Sequence, residues 1–254
     1  ACSSSSDPKC YNNFGPFLPG FHFVDYNNLE HLEYLFQKKK NIVAFMVEPI
    51  QGEAGIIIPN ENYLRSVKYL CKKYNILLIC DEVQSGLGRT GSLLASEFIN
   101  PDILVLGKAL SGGMLPISCV LANNNIMDLL EPGTHGSTYG GNPLASIIAP
   151  HAIDIIIKEN LSRNARIQGL KFRKELMPFV KNRQLKDVRG VGLLNAIEFN
   201  TSKEAEEIVN RFKNNGLLTK VTRDGIIRMC PPLTISKFQM DESLQIIKKS
   251  ILDI

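Results

Sequence analysis

The sequence predicts an α/β fold: a mostly parallel sheet flanked by helices, with a smaller C-terminal α+β domain. Two observations carry that prediction. Short runs that are apolar throughout recur between stretches of helical spacing, and strands buried on both faces read in this way. Beyond about residue 157 the texture changes to a compact set of strands and helices. The 254 residues, 44% of them apolar, suffice for one large domain and one smaller one, expected at 1–156 and 157–254.

Residues 1–20 are rich in Ser, Asn, Pro and Gly and lead into FGPFLPGF from Phe14 to Phe21, a loop. A helix is expected over 29–37, a strand over 42–47, a helix over 63–74 and a strand over 76–80. Residues 103–106 and 117–121 supply two more buried strands. Asn142 and Pro143 open a long helix, Asn as its cap and Pro at its first position. Pro150 falls inside it, where an internal proline is expected to kink a helix at a cost of ~3 kcal/mol. A further helix is expected over 161–180. There follow a strand over 188–199, a helix over 201–214, strands over 217–221 and 226–229, and a helix over 236–251.

The net charge of +4 is dispersed, and the one basic run, Lys38 to Lys40, reads as a solvated helix end. No nucleic-acid module is visible, and no apolar stretch reaches the ~18 residues of a membrane span. Neither partner is expected. The six cysteines are scattered without a C-x-x-C pair, which fits a reducing compartment. The cytoplasm is expected, with the mitochondrial matrix as the alternative, and no metal is expected. A nucleotide site is disfavoured, because no G-x-x-x-x-G-K-[ST] is present and no G-x-G-x-x-G follows a strand.

Five segments carry chemistry. Asp81 and Glu82 directly follow a buried strand, at the sheet end where α/β folds place ligands, although strand-end acids also cap the next element. Gln84 and GLGRTG, Gly86 to Gly91, come next, a loop built for close approach. Lys108 ends the strand ILVL before the small-residue turn ALSGG. Desolvation there would lower its pKa and make the amine a nucleophile, unless it snorkels past the sheet end. HGSTYGGNP, His135 to Pro143, sets hydroxyls and glycines before a helix start, suited to a phosphate or simply to a cap. Glu48 to Gly55, EPIQGEAG, again follows an apolar strand, and Arg228 lies within the strand IIRM, where it needs an anion. A phosphate cradle, a strand-end acid, a strand-end lysine and a carboxylate-binding arginine are together the parts of a pyridoxal-phosphate (PLP) enzyme.

VEPIQGEAG, DEVQSGLGRTG, LGKALSGG and HGSTYGGNP, in that order, resemble the class III (subgroup II) aminotransferases. The resemblance covers nearly the whole chain and implies the PLP-dependent transferase fold type I. FGPFLPGF, Ala54, Tyr139 and the run Arg228 to Pro232 favour the members that act on ornithine. The implied reaction moves the δ-amino group of L-ornithine to 2-oxoglutarate. It gives glutamate and glutamate 5-semialdehyde, which cyclises to pyrroline-5-carboxylate. Acetylornithine and 4-aminobutyrate are the alternative amines, and a catalytically inactive truncated homologue is the alternative of another class.

The resemblance also implies roles. Lys108 would hold PLP as a Schiff base and move the proton, and Asp81 would pair with the ring nitrogen. Gln84 would bond the ring hydroxyl oxygen, and Ser137 and Thr138 would reach the phosphate across the interface of a homodimer or larger homo-oligomer. Arg228 would bind a substrate carboxylate. Glu53 would mask an arginine when ornithine binds, and that arginine is expected in an N-terminal region of the family with no counterpart in this sequence. Met114, Pro150 and a short link between Ala95 and Pro101 depart from the family pattern.

Overall fold

The computed structural model describes residues 2–252. The ends of the two expected domains, Ala1 and Asp253–Ile254, lie outside them. Two compact units are present, Ala1–Phe45 with Pro59–Leu77, and Met46–Ile58 with Leu78–Ile254.

The first unit holds a short helix α1 (Pro8–Tyr11) and the packed pair α2 (Leu29–Lys38) and α3 (Tyr63–Tyr74). Asn28 caps α2 by accepting from the His31 amide at 2.9 Å. Apolar residues at helical spacing, Leu32 and Phe36 on α2 and Val67, Leu70 and Cys71 on α3, are buried. Asn75 ends α3 in the left-handed conformation that asparagine tolerates, at φ +53°.

The second unit contains most of one four-stranded sheet and all of another. The first runs β1 (Ala44–Val47), β2 (Leu77–Asp81), β3 (Ile103–Leu106), β4 (Cys119–Ala122). Strands β2 and β3 are parallel, with Asp81 opposite Val105, whereas β4 returns antiparallel to β3. After β4 come α4 (Asn124–Met127), α5 (Pro143–Lys158) and α6 (Leu161–Lys181). Asn142 caps α5 as expected, accepting from the Ala145 amide at 2.9 Å. The helix runs through Pro150 to Lys158. The structure is thus mixed α/β, as the sequence predicts.

The second sheet is antiparallel throughout, in the order β5 (Asp187–Val191), β6 (Leu194–Glu198), β8 (Ile226–Met229), β7 (Lys220–Val221). The single strand expected over 188–199 is a hairpin instead, because Gly192 turns the chain at φ +57°. One face of the sheet packs on α6, α7 (Ser202–Asn214) and α8 (Lys237–Leu252) through Phe172, Leu176, Ile197, Phe199, Phe212, Ile227 and Met240. The opposite face carries Leu194, Ala196 and Ile226 against Ile50 and Ile56. Alternation along β6 and β8 allots each residue to its face.

Helix α6 meets the β5–β6 turn at Gly169, where an added Cβ would lie 1.6 Å from the Gly192 carbonyl oxygen. Glycine to alanine ordinarily stabilises a helix interior by ~1 kcal/mol. Here overpacking reverses the sign, and Gly169→Ala is expected to destabilise the fold by about 1–3 kcal/mol or more, read from urea denaturation midpoints.

Candidate active site

Asp81 and Lys108 are brought to the same end of one sheet by the parallel pairing of β2 and β3. Asp81 is the last residue of β2, and Lys108 lies three residues beyond its partner Val105. Asp81 is half-buried, and its Oδ1 accepts from the Val83 amide at 3.0 Å. Lys108 opens a 3-10 turn, Lys108–Ser111, with φ +44°. A left-handed lysine costs on the order of 1–2 kcal/mol relative to the right-handed form, and such strain is concentrated at functional positions. The expected burial of Lys108 is not found. Strand β3 ends at Leu106, the side chain lies beyond the sheet, and the residue is exposed.

The two adjacent acids divide their labour. Glu82 is buried at 1% exposure, and its carboxylate accepts from the Ser96 amide at 2.6 Å, the Ser96 hydroxyl at 2.7 Å and the Ser85 hydroxyl at 2.7 Å. It fastens the two ends of the GLGRTG loop, whereas the Asp81 carboxylate is not drawn into that network. The loop itself approaches the C-terminal part, where Arg89 donates to the carbonyls of Leu193 at 3.3 Å and Pro231 at 2.5 Å.

The segment Glu48–Gly55 forms a tight turn closed by a bridge between Gln51 and Ile57. Glu48 is half-buried and accepts from the Gly52 amide at 2.9 Å. Burial raises its pKa, while the charges of Asp81 and Lys108 act on it in opposite directions. Gly52 lies directly under the Gln84 amide, and a Cβ there would approach it to 2.5 Å and displace that side chain. Glu53 projects from the turn and meets Arg228 of β8, Oε1 to Nη1 at 2.5 Å. Gln84 joins the pair, accepting from Arg228 at 3.2 Å and donating to Glu53 at 3.5 Å.

That pairing supplies Glu53 with a partner the sequence did not assign to it. Within this chain Glu53 is paired with Arg228, 175 residues away. The physical reason is the face of the strand. Ile227 and Met229 point into the helix-covered core, so Arg228 shares the face of Ile226, against which the 50–57 turn packs.

Ser137 and Thr138 are not brought to these groups. Every residue over 131–141 is exposed, and Ser137 accepts from the Gly140 amide at 2.9 Å within its own loop. Sequence reasoning missed Arg189 on β5. It donates to the carbonyls of Gly55 at 2.7 Å and Ile56 at 3.1 Å and pairs with Asp187 and Glu198 at 2.8 and 2.5 Å. The signal that singles out Arg228, a guanidinium within a strand, is present at Arg189 as well.

With this geometry in place, the similarities are specific. The model of the aminotransferase class-III family matches residues 1–251. A mitochondrial ornithine aminotransferase of Drosophila melanogaster is 52% identical over 99% of the chain and 58% of its own length. An ornithine aminotransferase of Plasmodium falciparum is 50% identical, over 98% and 61%. The solved ornithine aminotransferase of Toxoplasma gondii superposes with a TM-score of 0.96 at 45% identity, over the whole chain and 61% of its own. An acetylornithine aminotransferase from Elizabethkingia anophelis gives 0.90 at 50% identity, over 93% and 64%. The chain spans about three fifths of the length of the curated relatives it matches.

The hydrogen bond from Arg228 holds the Glu53 carboxyl below the usual carboxylate range, aided by the charges of Arg228, Lys108 and Lys220. A depressed carboxylate pKa means that the pair is intact above the unfolded value of ~4.3 and is lost as pH falls through the folded one. Carbon-13 NMR of the Glu53 side chain is therefore expected to show no titration between about pH 6 and 8 and a midpoint under ~4.3. In Arg228→Gln that midpoint should move up.

Proposed function

The chain belongs to the aminotransferase class-III family, and on that premise we propose that it carries the lysine and acid of a PLP-dependent transaminase acting on L-ornithine and 2-oxoglutarate. The observation that supports this most directly is the left-handed, exposed Lys108 one strand from Asp81, its charge acting on the Glu53 carboxyl that pairs with Arg228. The name of the relatives from D. melanogaster, P. falciparum and T. gondii supports ornithine as the amine. The division of labour is proposed at 1–156 for cofactor binding and 157–254 for the small domain.

The donor set fits PLP. An exposed primary amine suits its aldehyde and a half-buried carboxylate suits its ring nitrogen, while the hydroxyls of Ser137 and Thr138, on a loop apart from these groups, would suit the phosphate of a partner's site. When bound, PLP supplies an aldehyde that condenses with amines and a protonated ring that takes up electron density. The chain's residues do the rest. Asp81 would lie against the ring nitrogen and keep the proton there by charge attraction. Lys108 would hold the cofactor and, once released, would carry the proton from the substrate carbon. Gln84 would donate to the ring hydroxyl oxygen. Arg228 receives the carboxylate of glutamate or 2-oxoglutarate in its planar fork once Glu53 withdraws. With Glu53 in place its charge is neutralised, which leaves the site open to a diamine.

A homodimer is proposed from the exposed loop at Ser137 and Thr138 and from an uncovered apolar surface beside it. Leu129, Leu130, Tyr139, Leu144 and Ile147 are each at least 57% exposed, and a helix as apolar as α5 is ordinarily covered. Among the described residues no helix is long and apolar enough to cross a membrane. The relatives from D. melanogaster and Rattus norvegicus are named mitochondrial, which favours the matrix over the cytoplasm for this chain.

Reconstitution with PLP is expected to give a visible absorption band that L-ornithine bleaches, with kcat/KM higher for ornithine than for N-acetylornithine or 4-aminobutyrate. Lys108→Ala should abolish the covalent band and slow the half-reaction by about 10²–10⁴-fold. A band and half-reaction that survive in Lys108→Ala would overturn the assignment.

A further inference from the structure

Three residues lie in one row across the second sheet. Arg189 of β5 is in register with Ala196 of β6, and Ala196 is in register with Arg228 of β8. In-register neighbours share a face, so the two arginines are rooted on either side of a methyl group, their backbones two strand spacings or ~10 Å apart. The turn that carries Glu53 lies on this face. Ala196 leaves room for it.

The turn is bound at both ends of the row, by bonds of different kinds. At one end the Glu53 carboxylate takes Arg228, and this contact involves a side chain that is 56% exposed. At the other end Arg189 grips the main chain, Nε donating to Gly55 and Ile56 and Nη2 to Gly55. The gripped residues are unusual. Gly55 has φ +110°, and Ile56, fully buried and β-branched, has φ +57°. A β-branched residue in the left-handed region is strained and persists only where its surroundings over-determine it. Arg189 is itself fixed by Asp187 and Glu198, with its own side chain 18% exposed.

We propose that Arg189 is the positioning residue of the Glu53–Arg228 mask: it pins the strained Gly55–Ile56 backbone so that Glu53 is held over Arg228, and so sets the balance between the diamine and the dicarboxylate. The inference rests on the masking role assigned above. Arg189 touches no reacting atom. It acts through the main chain two and three residues beyond Glu53. A lysine in its place would keep the charge facing Glu198 but could not present a planar fork to two adjacent carbonyls.

The test uses the full-length PLP-loaded protein and glutarate, an unreactive dicarboxylate, as the probe. In Arg189→Lys the calorimetric Kd of glutarate is expected to tighten about tenfold, as the mask loosens. Amide exchange at Gly55, Ile56 and Ile57 should quicken, and the ratio of half-reaction constants should shift from ornithine toward glutamate. Glu53→Gln should tighten glutarate in the same sense, and the double variant should go no further than Glu53→Gln alone. If Glu53→Gln leaves glutarate unchanged, the masking role itself fails and the inference with it. If Glu53→Gln tightens glutarate but Arg189→Lys does not, the masking role stands and the positioning role is overturned. Parallel loss of both half-reactions in Arg189→Lys, or failure of Arg189→Lys to fold, would make Arg189 merely structural and equally overturn the proposal.

Discussion

Loop carbonyls satisfied by side-chain forks are what hold the pieces of the site in place. The turns that carry the chemistry leave their carbonyls outside any strand ladder, and a buried carbonyl must find a donor. Here arginine and asparagine supply it over long sequence distances. Arg189 reaches Gly55, Arg89 reaches Pro231, Arg166 reaches Gly91 at 2.8 Å, and Asn164 bonds Leu233 and Ile235 at 2.7 and 2.9 Å. Arginine suits the task because its five donors are presented in a rigid plane and its charge is not lost on burial. Burial opposes the charged form of Arg189, but its bonds to Asp187 and Glu198 outweigh that and push its pKa up.

The second constraint is register. Along β8 the order Ile226, Ile227, Arg228, Met229 alternates faces, so the strand serves a core and a binding surface at once. A slip of one residue would drive a guanidinium into the cluster around Phe199 and Phe212 and expose Ile227 and Met229. The penalty for an unpaired buried charge makes such a slip unfavourable, and the hydrophobic core thereby fixes the position of Arg228. The placement of the Glu53–Arg228 pair is in this sense inherited from packing on the far side of the sheet.

Much of this was legible in the sequence, for reasons that also mark the limit. Helix 63–74 and strands 103–106 and 226–229 have their expected bounds, because continuous apolar runs and helical spacing are local signals. Asp81 and Lys108 could be singled out because a charge at the end of an apolar run is local too. The hairpin at Gly192 was hidden because apolar residues continue through it, and only the backbone shows that a glycine reverses the chain. The expected strand over 217–221 is only Lys220–Val221. Glu82 could not be told from Asp81, since their difference lies in the serines that surround one of them. The pairings of Glu53 with Arg228 and of Arg189 with Gly55 span 175 and 134 residues, and no local pattern encodes which face each partner takes.

Exposure decides which of these charge pairs can move. In the pair of Arg189 with Glu198 the side chains are 18% and 14% exposed, and breaking a buried pair by removing one partner costs about 3–5 kcal/mol. In the pair of Arg228 with Glu53 they are 20% and 56% exposed. Water can solvate Glu53 as it leaves, and pairs of that kind are worth only about 0–1 kcal/mol. An incoming carboxylate that takes both guanidinium edges would recover a comparable or greater energy. The immobile pair and the exchangeable pair flank the same alanine in one row. Their difference in solvation, more than any difference in chemistry, makes one arginine an anchor and leaves the other in an exchangeable pair.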